Sequence, residues 1–136
     1  MNNKAFGTDY LPTILMVRDS ERKIEFNSHI LSAFNVVYSS KLQNTPILTW
    51  IQQNQPDLII VEYNSFPEPY SNLITLLKLD WLTRNIPIVV AGNKFTLRSI
   101  ENLDYDACLN SPYSVADLNK VICSLIQIPI CNVFAS

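Results

Sequence analysis

The chain has 136 residues, enough for one domain, and its 48 % apolar and 16 % charged content supplies a full core and excludes a disordered chain. A formal charge of −2 argues against a dedicated nucleic-acid binder, which needs a basic face. No apolar stretch reaches the ~18 residues of a membrane helix, and the N-terminus has no apolar run of the signal-peptide kind, so a cytoplasmic protein with no membrane partner is expected.

Strand-like and helix-like segments alternate along the chain. Glycine is scarce, only Gly7 and Gly92, so prolines supply most of the punctuation. Residues 14–17, Ile-Leu-Met-Val, read as a short buried strand behind Pro12. Ser20 suits the cap of a following helix, with Glu21 in its first turn and Ile24, Leu31 and Phe34 on one face. A second strand follows at 36–38. Thr45 as cap and Pro46 as first helical residue begin the next helix, on which Ile47, Trp50 and Ile51 recur at helical spacing. The turn dipeptide Pro56-Asp57 leads into Leu58-Ile59-Ile60-Val61, an apolar run that stops on a carboxylate, Glu62. Such a run fits a strand buried on both faces of a parallel sheet. A loop with Pro67 and Pro69 leads to a helix over 73–82, then a fourth strand over 86–92. A weakly marked helix over 97–103 precedes a short strand at 107–110. Ser114 and Asp117 form the pattern of a capping box for a last helix that runs to about Gln127.

In this pattern Trp50 and Trp81 are packing residues, and His29, the single histidine, is a surface or half-buried position in mid-helix. Cys108, Cys123 and Cys131 lack metal-ligand spacing and read as reduced, mostly buried thiols. Residues 1–11 form an N-terminal extension, 12–127 the domain and 128–136 a tail.

Strands joined by helices imply a parallel sheet with right-handed crossovers. Five of each favour an α/β, flavodoxin-like doubly wound domain with strand order 2-1-3-4-5. Its site forms at the carboxyl ends of strands 1 and 3, where the winding reverses. Those ends carry Arg18, Asp19 and Glu62.

With these elements in place, the chain resembles the receiver (CheY-like) domain of two-component response regulators over nearly its whole length. The phrases ILMVRDS, IQQNQPDLIIVEYN, LLKLDWLTRNIPIVVAG and ACLNSPYSVADL carry the likeness, in the right order and at the right spacing. The resemblance implies a domain that takes a phosphoryl group from a histidine kinase onto an aspartate. That chemistry uses acids holding Mg²⁺, an aspartate nucleophile, a hydroxyl on the phosphoryl group and a lysine to neutralise it. This chain departs at almost every one of those positions. Arg18 replaces the first acid and only Asp19 remains of the pair; Glu62 replaces the acceptor. Gly92 stands at the Ser/Thr position, and Ser111, followed by the expected Pro112, replaces the lysine. Cys108 takes the place of the aromatic switch residue.

A guanidinium repels the divalent cation and offers a fork that fits a carboxylate. Arg18 is therefore expected to replace the metal and to pair with Glu62, Asp19 or both. The expectation is a stand-alone pseudo-receiver, not an enzyme, with no cofactor and no metal. It would act through a protein partner, a histidine kinase or another signalling protein, or as a homodimer, and not on nucleic acid. Its expected interaction face is on the last helix, with Leu118, Val121, Ile122 and Leu125. Two alternatives stay open: a phosphoaccepting receiver with an atypical site, and a small-ligand sensor using the flavodoxin-like crevice, although no glycine-rich phosphate loop is present.

Overall fold

Five short apolar segments become the strands of one parallel sheet. The computed structural model describes residues 11–18, 34–42, 45–63 and 70–126. The strands are β1 (Thr13–Arg18), β2 (Asn35–Tyr38), β3 (Leu58–Glu62), β4 (Ile88–Gly92) and β5 (Ala107–Asn110). They lie in the order β2-β1-β3-β4-β5, all pairs parallel. Among the described residues the helices are α1 (Ile47–Asn54), α2 (Tyr70–Leu79), α3 (Lys94–Ser99) and α4 (Val115–Leu125), with a 3-10 turn at Ser39–Lys41.

Side chains alternate across a strand, so each strand feeds two cores. Leu15, Val17, Ile59, Val61, Ile88 and Val90 pack under α1, α2 and α3, against Ile51, Ile74, Leu77, Leu97 and Ile100. Ile14, Met16, Leu58, Ile60, Val89, Ala91 and Leu109 pack on the opposite face, against Leu118 and Ile122 of α4. The central strands β3 and β4 are buried throughout, which is why they read as continuous apolar runs. Two aspartates clip the strand starts. Asp57 Oδ2 accepts from the Thr13 N–H at 2.8 Å, and Asp106 Oδ2 accepts from the Ile88 N–H at 2.7 Å. The sheet is thereby held in register at the end opposite the expected site.

Several helix boundaries differ from the expected ones, each for a local reason. The N-cap of α1 is Pro46, with no side-chain cap bond, so Thr45 does not cap it. Helix α2 ends at Leu79 rather than continuing to residue 82. Asp80 Oδ1 accepts from the Leu82 N–H at 3.0 Å, and the buried Thr83 hydroxyl donates to the Leu77 carbonyl at 2.7 Å. These side chains offer the backbone an alternative to the next helical turn. Trp81 thus leaves the helical pattern and is 74 % exposed rather than packed, whereas Trp50 packs half-buried against the core. Helix α3 starts at Lys94 because Asn93 caps it, its side chain accepting from the Thr96 N–H at 2.8 Å. Helix α4 begins at the capping box of Ser114 and Asp117.

The cysteines differ as well. Cys108 is a free, exposed thiol on edge strand β5, and Cys123 is disulfide-bonded, with its partner outside the described residues. An edge strand leaves alternate side chains open to solvent, and disulfide pairing depends on tertiary proximity that spacing does not report. The helix expected after Ser20, His29 and the 128–136 tail also lie outside the described residues. No described helix is long and apolar enough to cross a membrane.

Candidate functional site

Arg18 and Glu62 are the last residues of adjacent strands and are direct partners in the β1–β3 register. Each stands two residues beyond a member of the second core, Met16 and Ile60, so both side chains emerge on that face. There the Arg18 Nε lies 3.5 Å from Glu62 Oε2, with the two side chains only 5 % and 11 % exposed. At that distance the contact is an ion pair rather than a well-formed hydrogen bond, and Nε has no hydrogen-bond acceptor of its own. Ser39 fixes the backbone beneath it. Its hydroxyl accepts from the Arg18 N–H at 3.0 Å and donates to the Arg18 carbonyl at 3.2 Å.

Tyr113 closes the group from the β5–α4 loop. Its ring packs against the second core, and its hydroxyl oxygen is fully enclosed without reaching full hydrogen-bond geometry. Burial and then the neighbouring Glu62 carboxylate push the Tyr113 hydroxyl up to about 12, against a smaller opposing pull from the Arg18 guanidinium. The phenol thus stays a neutral donor beside the carboxylate. The same proton is placed to bond Glu62 once either side chain turns slightly.

The other expected site residues are less central. Gly92 pairs with Asn110, while Glu62 pairs with Ala91, so Gly92 sits one residue beyond the acid. A Cβ at Gly92 would stand 3.2 Å from the Tyr63 carbonyl oxygen and 3.4 Å from the Tyr63 Cβ. A serine or threonine there meets backbone that must give way. Ser111 is exposed at the loop rim, its N–H bonded to the Gly92 carbonyl at 2.8 Å, and a cis peptide joins it to Pro112. Cys108 is exposed on β5. Asp19 lies outside the described residues.

The expected interaction face is corrected by burial. Leu118 and Ile122 are each 1 % exposed, and Val121 and Leu125 pack half-buried beside them. The stripe faces the sheet because the second core needs a helix to cover it. The most exposed large apolar side chains of the described residues are instead Phe95, Leu79 and Trp81, at 87 %, 77 % and 74 %. Sequence reasoning also missed Tyr113 and Ser39. An aromatic hydroxyl directly after Pro112 at the site end of β5 was a usable signal; Ser39 left none.

The described residues do not suit Mg²⁺. The cation already against Glu62 is a guanidinium, and no group of three His, Cys, Asp or Glu side chains among the described residues is arranged to hold a metal.

No protein-family model matches the chain, and no curated protein matches it. Solved structures do. One is the signal receiver domain of a signal transduction histidine kinase from Syntrophus aciditrophicus, at 20 % identity and TM-score 0.68, covering 87 % of this chain and 98 % of that one. Another is the chemotaxis response regulator CheY4 of Vibrio cholerae, at 16 % and 0.68, covering 85 % and 99 %. A third is a response regulator receiver modulated diguanylate cyclase from Pelobacter carbinolicus, at 21 % and 0.63, covering 92 % and 98 %. The chain has the flavodoxin-like fold of response regulator receiver domains.

Proposed function

We propose that this chain is a pseudo-receiver, a receiver-fold protein that works by protein–protein contact in two-component-type signalling without accepting a phosphoryl group. The observation that carries this reading is the buried Arg18–Glu62 pair at the carboxyl ends of β1 and β3. A phosphoryl-transfer site must gather positive charge around three phosphoryl oxygens as the transition state forms. Here the Arg18 guanidinium is spent on a resident carboxylate. The position of the lysine holds an exposed serine, and the hydroxyl position is a glycine against the Tyr63 backbone. Glu62 carries its charge one methylene beyond the reach of an aspartate, toward the space a phosphoryl group would fill, and so acts as a permanent, partial imitation of the phosphorylated acid. The partner is a histidine kinase or another signalling protein, or a second copy of the chain. The exposed Leu79 and Trp81 are apolar surface available for such contact.

Intact mass after incubation with acetyl phosphate and Mg²⁺, with and without Glu62→Asp, tests this reading. No adduct on the natural protein is expected. A stoichiometric adduct of one phosphoryl group on it would overturn the reading and restore a phosphoaccepting receiver. An adduct on Glu62→Asp alone would identify Glu62 as the block.

A further inference from the structure

We propose that the crevice is an oxyanion site built from Arg18 and Tyr113 and already filled by a ligand of the chain's own, the Glu62 carboxylate. Three buried polar groups meet there from three parts of the fold. Arg18 Nε comes from β1, Glu62 Oε2 from β3 and the Tyr113 hydroxyl from the loop before α4, and all three atoms are shut from solvent. Each is carried on backbone that is anchored nearby in the fold. Ser39 holds the Arg18 backbone on both sides, Ile60 anchors the strand that carries Glu62, and Ser114, next to Tyr113, is the cap of α4. A planar cationic donor and a neutral phenol donor converging on one carboxylate form a small-anion receptor.

The receptor is not spent on structure alone, because its donors are imperfectly engaged. Arg18 Nε stands at 3.5 Å, long for a hydrogen bond, and the Tyr113 hydroxyl stops short of one. The Glu62 carboxylate has its position set by β3, whereas an untethered one of the same size can move to meet both donors. Glu62→Ala deletes a CH₂–COO⁻ group, so acetate replaces the lost atoms. Formate leaves a gap and propionate is too long. The proposal also gives Tyr113 a role beyond packing, since the anion ties the start of α4 to the ends of β1 and β3.

The inference rests on the reading of the crevice as occupied, but its test contains neither phosphodonor nor Mg²⁺, so the labelling result and this one can fail independently. Thermal unfolding of the full chain is followed for the natural protein and for Glu62→Ala, each in sodium acetate, formate, propionate or chloride at equal ionic strength. Acetate is expected to raise the melting temperature of Glu62→Ala by ~3 °C or more over chloride, with formate and propionate weaker and the natural protein unmoved. The rise should vanish when Arg18→Met or Tyr113→Phe is added. An equal rise in the natural protein, or a rise indifferent to Arg18 and Tyr113, overturns the proposal, as does no rise in a folded Glu62→Ala. If Glu62→Ala does not fold, the isosteric Glu62→Gln decides it by tyrosinate absorbance. One tyrosine should then ionise at lower pH than in the natural protein, and an unchanged titration overturns the proposal.

Discussion

A guanidinium and a carboxylate 3.5 Å apart, with side chains 5 % and 11 % exposed, are both costly to strip of water. Their attraction offsets that cost only while both are present. Arg18→Met removes the guanidinium from beside the buried Glu62 carboxylate and is expected to destabilise the domain by about 3 kcal/mol. Adding Glu62→Leu should recover most of the loss, because an apolar pair of similar volume needs no desolvation. Urea unfolding of the two single variants and the double variant measures the coupling. If the double variant is no better than Arg18→Met, the pair is not the source of the effect. Tyr113 gives a second handle. Its pKa is raised from 10.0 to about 12, chiefly by burial and then by Glu62. Within that window the unfolded chain has released the proton while the native chain keeps it, so stability is full below pH 10 and falls as pH rises toward about 12. Tyr113→Phe should flatten that decline, as read from urea midpoints at about pH 9 and about pH 11. An identical decline in the variant would remove Tyr113 as its cause.

The elements that resisted sequence reading are the helices, and the reason differs among them. The capping box of α4 was legible because Ser114 and Asp117 both bond the backbone within three residues, a local arrangement. The end of α2 was not. Apolar residues continue in helical spacing through Leu82, yet Asp80 and Thr83 capture backbone groups and stop the helix at Leu79. Asp80 is further held by Gln52 Nε2 of α1 at 2.7 Å, a contact 28 residues away. This turn carries Trp81 outward at 74 % exposure, so Trp81→Ser is expected to change stability by less than ~0.5 kcal/mol. Ile60→Ala, at a position 1 % exposed in the same fold, is expected to cost ~3 kcal/mol. Chemical unfolding of both variants checks the contrast. A comparable loss from Trp81→Ser would mean that its indole is covered in solution.

Over the whole molecule, one sheet sorts its residues into two cores and one crevice. Period-two alternation within β1 and β3 sends Met16, Arg18, Ile60 and Glu62 to one face and Leu15, Val17, Ile59 and Val61 to the other. Strand order and parallel pairing were readable from apolar runs of strand length separated by helical segments, because burial on both faces leaves a continuous apolar run in the chain. The same reasoning located Arg18 and Glu62 at neighbouring strand ends. What those residues do to each other was decided in three dimensions. The 3.5 Å separation, the Tyr113 hydroxyl beside the carboxylate and the Tyr63 backbone crowding Gly92 all depend on side chains from segments distant in sequence. The face of α4 was misjudged for the same reason. Its apolar stripe is visible in the chain, but whether Leu118 and Ile122 meet the sheet or a partner depends on what lies opposite, and that is the second core. Hydrophobic periodicity is a local property and survives in one dimension; contact, burial and charge environment are relations between distant segments and exist only once the sheet has formed.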